Sequence, residues 1–236
     1  MPVTPDQPTP TKSFPKTQTL WISQRLDEGE AGRLLVSGHV MTSYLRPLTI
    51  YCRAIGLDSS VRTDADELVH DFFASRLIDM SYLRSWLASG IRLRLWLRNG
   101  LNLYVHERHR ERMRAKKTES GSALEPSSES MEAEQLFERA WAISALDQAM
   151  TETKTDLERR GRSQEWEIFW AHHIDGVPYA TLGERLHLSS AQAAQRAFSV
   201  AESLRGALAG ILRKDGALGS ELDAEVRTMM EALNGR

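Results

Sequence analysis

Apolar residues recur along this chain at helical spacing. Leu68, Val69, Phe72, Phe73 and Leu77 fall three or four apart, so they form one stripe on a helix. Thr63 before Asp64-Ala65-Asp66-Glu67 gives that helix an N-cap and an acidic first turn. Ser89-Gly90 interrupts the pattern, and Leu93, Trp96, Leu97, Leu101, Tyr104 and Val105 then make a second stripe. The stretch just before Gly90, with Tyr82 and Trp86, is expected to be irregular. Leu136, Phe137, Trp141, Ala145 and Leu146 suit a third buried face, which Gly161 ends. Trp166, Phe169 and Trp170 mark a short helix over 165–173. No strand-like alternation appears, so the fold class is all-α.

Between the stripes lie stretches that cannot support a core. Residues 1–19 carry five prolines among polar residues and are expected to be a disordered tail. Residues 116–131 read KKTESGSALEPSSESM, a flexible linker. The expected organisation is therefore two small helical domains, 20–115 and 132–214, on either side of that linker. Residues 215–236 follow as an extension with Leu222, Val226, Met229, Met230 and Leu233 at helical spacing. This amphipathic helix is expected to pack on the second domain or to meet a regulator.

The densest signal lies at Gly176 to Leu212. Pro178 stands where a helix begins, and Leu182 and Leu186 face inward. Gly183 lets a second helix approach. His187-Leu188-Ser189 forms the turn, with Leu188 as its plug. Ser189 or Ser190 caps the second helix, whose inner face is Ala193, Ala197 and Val200. This is the spacing of a helix-turn-helix. Ser190, Ala191, Gln192, Gln195, Arg196 and Ser199 would then face a major groove, where Gln and Arg can make bidentate contacts to base edges. A helical hairpin that packs and reads nothing has the same spacing.

Charge is informative only locally. The net charge is -2, but from Arg76 to Lys117 eleven cations stand against three acids. Arg84, Arg92, Arg94 and Arg98 alternate there with Tyr82, Trp86, Trp96 and Tyr104. Cations hold phosphates while rings stack unpaired bases, so the mixture suits single-stranded DNA. Trp96 and Tyr104 lie on the apolar stripe and are expected in the core. Tyr82 and Trp86 fit either role.

Other chemistry finds little support. His106 and His109 lie in an arginine-rich face, and adjacent His172 and His173 point apart on a helix. Ser189-Ser190 lack a base with an orienting acid, and no glycine-rich phosphate loop exists. No catalytic residue, metal site or cofactor is expected. The single cysteine, Cys52, fits a reducing compartment. The absence of a long apolar run or an apolar leader fits a cytoplasmic protein with no membrane contact.

Three stretches together resemble RNA polymerase sigma factors of the extracytoplasmic-function type, in the sigma-70 family. They are Asp66 to Phe73, Leu93 to Leu97 with its arginine-rich end, and Pro178 to Arg205. The resemblance implies that Asp66, Glu67, His70 and Asp71 contact core RNA polymerase. It implies that Tyr82, Arg84, Trp86, Arg92, Arg94 and Arg98 meet the −10 element, with 78–90 capturing a flipped base. The helix-turn-helix would meet the −35 element. The partners implied are core polymerase, promoter DNA, and an anti-sigma factor or another regulator.

Two departures stand out. His187 replaces the family's turn glycine, and histidine tolerates a left-handed backbone better than most residues. Ala194, Ser199, Ala201, Glu202 and Ser203 occupy helix positions where the family often has cations. Weak −35 binding could then be offset by tethering in the holoenzyme. The alternatives are a stand-alone helix-turn-helix regulator and a sigma-like interaction module with weakened DNA binding.

Overall fold

The computed structural model describes residues 20–55, 64–77, 81–117 and 131–234. Every regular element among them is helical. The helices are α1 (Leu20–Asp27), α2 (Gly29–Ile55), α3 (Ala65–Leu77), α4 (Ser81–Ser89) and α5 (Leu93–Lys117). They continue as α6 (Met131–Arg159), α7 (Ser163–His173), α8 (Tyr179–Leu186), α9 (Ser190–Lys214) and α10 (Leu222–Asn234), with a 3-10 turn at Gly219–Glu221. The expected tail, the Thr63 cap and most of the expected linker lie outside the described residues.

The apolar stripes face where their spacing requires. On α3, Leu68, Val69, Phe72, Phe73 and Leu77 are all buried. On α5, Leu93, Leu97, Leu101, Tyr104 and Val105 are buried, while Trp96 is only half-buried. The expected loop before Gly90 is corrected over 81–89, which form α4. Leu83 and Trp86 supply its buried face, a period too short to stand out in the sequence. Gly90, at φ 70°, ends the helix, and the Ser89 hydroxyl donates to Trp86 O at 2.7 Å.

The boundary expected at 116–131 does not separate two cores. One large cluster contains Val40, Leu48, Phe72 and Leu97 from the first half. It also contains Phe137, Trp141, Ala145, Leu212 and Met229 from the second. The N-terminal part of α6 lies along α2, and Phe137 meets Tyr51 edge-on at 5.9 Å between ring centres. A smaller cluster gathers Leu157, Trp166, Ile168, Phe169, Leu182, Ala193, Ala197 and Val200. The long helices α6 and α9 contribute to both, and Leu204 packs against each. The sequence pattern identifies which residues are buried but not which stripes meet. That depends on non-local packing.

Candidate nucleic-acid interface

The α8–α9 turn is built from local chemistry. Pro178 occupies the N-cap of α8 in an extended conformation, one residue before the expected position. Leu182 and Gly183 are buried. A Cβ on Gly183 would lie 2.6 Å from Leu188 O, so only glycine admits the returning chain. His187 takes the left-handed conformation at φ 55° and donates its backbone N–H to Gly183 O. Leu188 N–H donates to the same carbonyl at 2.8 Å, and its half-buried side chain packs on the smaller core. Ser189 is the cap of α9. Its Oγ accepts from Gln192 N at 3.1 Å, and Gln192 Oε1 accepts from Ser189 N at 2.8 Å.

These bonds sort the six predicted groove-facing residues. Ser190, Ala191 and Gln195 are exposed. Gln192 is also exposed, but the capping box holds its amide oxygen against the helix end. Arg196 and Ser199 are half-buried and lean toward α7. Arg196 Nη1 donates to Gln164 Oε1 at 2.6 Å, and Arg162 Nη2 donates to Ser199 Oγ at 3.0 Å. Ala191 and Gln195 share their outward row with Phe198, whose exposure is 66%. The sequence does not single out Phe198, because an aromatic at helical spacing reads as core. From Ser190 to Ala201 the helix carries no carboxylate.

On α3, Asp66, Glu67, His70 and Asp71 are all exposed. Asp66 forms an ion pair with Arg53 of α2. His70 and Asp71 border a groove of about 520 Å³ between α2 and α3, lined also by Leu34, Met41, Phe73 and Leu77. Leu34, at 66% exposure, gives it an apolar rim. The arrangement can receive a partner that offers both cations and apolar side chains.

The predicted −10 set is not a single surface. Trp86 is 1% exposed and donates Nε1–H to Ile91 O at 2.7 Å, so it is a core residue here. Tyr82 is half-buried against Phe72 and Trp96, and its hydroxyl donates to Trp96 O at 3.1 Å. Arg84 is exposed and reaches Leu26 O at 3.1 Å and Asp27 at 3.2 Å.

The next three arginines face inward, a correction to their expected presentation to DNA. Arg92 pairs with Glu221 at 2.8 Å and Glu225 at 2.9 Å, and donates to Gly216 O at 2.6 Å. Arg94 is buried. It pairs with Asp215, with Glu138 at 3.1 Å and with Glu225 at 2.9 Å, and its guanidinium lies 4.3 Å from the Trp141 ring centre. Arg98 pairs with Glu134 at 3.3 Å. Burial alone would lower the Arg94 pKa, but Asp215, Glu138 and Glu225 reverse the effect and raise it. Burial raises the Asp215 pKa, and Arg94 and Tyr44 draw it back only in part.

The C-terminal extension is therefore a structural element, with Ala217 and Met229 in the large core. The exposed basic residues of α5 lie at its far end. Arg108 and Arg112 are exposed and pair with Glu111 at 3.3 Å and Asp64 at 3.2 Å. No helix among the described residues is long and apolar enough to cross a membrane.

Comparison with protein-family models, curated proteins and solved structures finds no match for the chain.

Proposed function

We propose that the chain is a sigma factor of the extracytoplasmic-function type, directing core RNA polymerase to a set of promoters. The observation that carries the reading is the α8–α9 pair. Its tight left-handed turn, capped second helix and acid-free outward face suit entry into a major groove. The exposed acids of α3 beside the α2–α3 groove support a polymerase contact. In this reading the protein acts in the cytoplasm and does no chemistry itself. The polymerase does it, and a further protein regulates the encounter.

The −10 role then falls to Tyr82, Trp96, Arg84 and the arginines at the end of α5, unless α10 leaves α5 when polymerase binds. Arg92, Arg94 and Arg98 are committed to carboxylates in the structure described. That commitment favours a second reading, a stand-alone helix-turn-helix regulator that binds duplex DNA without polymerase. Sedimentation of the full chain with purified core polymerase separates them. The sigma reading expects a complex that weakens when Asp66→Lys and Asp71→Lys are combined. No complex, together with tight duplex binding by the chain alone, would establish the second reading instead.

A further inference from the structure

The weakly basic α9 leaves a physical question. A helix that enters a groove needs cations beside it to hold the two phosphate strands, and α9 supplies only Arg196 before Arg205. The structure brings others alongside from a distant part of the chain. α6 ends at Arg159, Gly161 turns the chain at φ 69°, and α7 begins at Ser163. Arg162 N–H donates to Leu157 O at 2.8 Å and Gly161 N–H to Glu158 O at 3.0 Å, so the turn is closed by its own backbone.

Two side-chain bonds fix this turn against the flank of α9. Arg162 Nη2 reaches Ser199 Oγ at 3.0 Å, and Gln164 Oε1 receives Arg196 Nη1 at 2.6 Å. Arg159 and Arg160 project from the same turn with side chains 75% and 60% exposed. Both pair with one carboxylate, Asp156. Arg162 pairs with Glu165, while Arg196 meets a neutral amide. Four guanidiniums thus stand against Asp156 and Glu165, with Glu158 drawn to Lys154 at 3.9 Å, and the surplus positive charge borders the Arg196–Ser199 flank of α9. Exposed ion pairs of this kind are weakly held and exchange readily for a phosphate.

We propose that Arg159, Arg160 and Arg162 form a phosphate-binding edge that grips the backbone of duplex DNA while α9 faces the major groove. The proposal rests on α9 being the recognition helix and explains how that helix works with so few cations of its own. The turn supplies the sequence-independent part of binding, and Gln195 and its neighbours are left to read bases.

The test is the salt dependence of duplex binding, measured with the full chain alone and assembled with core polymerase. In Arg159→Gln/Arg160→Gln, the slope of log K against log salt should become shallower by about 1.8, the value for two lost phosphate contacts on B-form DNA. A control, Arg46→Gln/Arg227→Gln, removes the same charge from exposed positions on α2 and α10 and should leave the slope near wild type. If the turn variant keeps the wild-type slope, or the control loses as much, the edge is not a phosphate site, while the reading of α9 stands. If the wild-type chain shows no duplex binding in either form, the reading of α9 and the proposed edge fall together.

Discussion

Arg94 and Asp215 lie 121 positions apart and meet in the interior. The Arg94 backbone N–H donates to Asp215 Oδ1 at 2.7 Å, and its guanidinium pairs with Oδ2. Tyr44 donates to Oδ1 at 2.8 Å, so α2, α5 and the start of the C-terminal extension converge on one carboxylate. Trp141 of α6 covers the guanidinium. The contact ties the extension to the first half of the chain.

Removing the Asp215 carboxylate leaves the buried Tyr44 hydroxyl and the Arg94 backbone N–H without their acceptor, and leaves the Arg94 guanidinium with Glu138 and Glu225 alone. Asp215→Ala is expected to destabilise the protein by about 3–5 kcal/mol. Glu221→Ala, which touches an exposed end of the network, should cost under about 1 kcal/mol. Urea unfolding of the two variants checks the contrast. Equal losses would mean that the network is not organised around Asp215.

The same network predicts an acid response. Burial would raise the Glu225 pKa, but Arg94 and Arg92 hold it below the ordinary glutamate value of 4.5. A depressed carboxylate stabilises the fold above its unfolded value, and that contribution is lost as pH falls through the folded value. Glu225→Gln should therefore be less stable than wild type at neutral pH, with the gap closing in acid. A gap independent of pH would contradict the assignment. Asp215 does not produce this trend, because its raised pKa works in the opposite direction.

The turn between α8 and α9 predicts two changes of opposite sign. Gly183→Ala forces a Cβ against Leu188 O and should cost about 1–3 kcal/mol of stability. His187→Gly relieves a left-handed backbone and should stabilise by up to about 1 kcal/mol. Thermal melting of both variants reads the signs. A neutral Gly183→Ala would mean that the turn opens without cost.

Most helices and their buried faces are legible because they depend on local period; α4, whose buried face is only Leu83 and Trp86, is not. Leu68 to Leu77 and Leu182 with Ala193, Ala197 and Val200 are buried as their spacing requires. His187 was legible from its tolerance of positive φ. The partners of the arginines were not, since nothing local in Arg92 or Arg94 announces Glu225 or Asp215. Trp86 and Trp96 show the same limit: Trp86, in a stretch expected to be irregular, is enclosed, while Trp96, on an apolar stripe, is only half-buried. The run Arg159-Arg160-Gly161-Arg162 was visible in the sequence, but its place beside Ser199 depends on how α6, α7 and α9 pack.

As a sigma factor, the role proposed above, the chain would give promoter specificity to core polymerase. In vitro transcription with purified core polymerase and a genomic promoter library, with and without the protein, tests it most directly. Promoter-specific transcripts are expected only when the protein is present, reduced at least tenfold by Asp66→Lys/Asp71→Lys. Tenfold corresponds to about 1.4 kcal/mol of lost contact. An unchanged transcript set with and without the protein would contradict it.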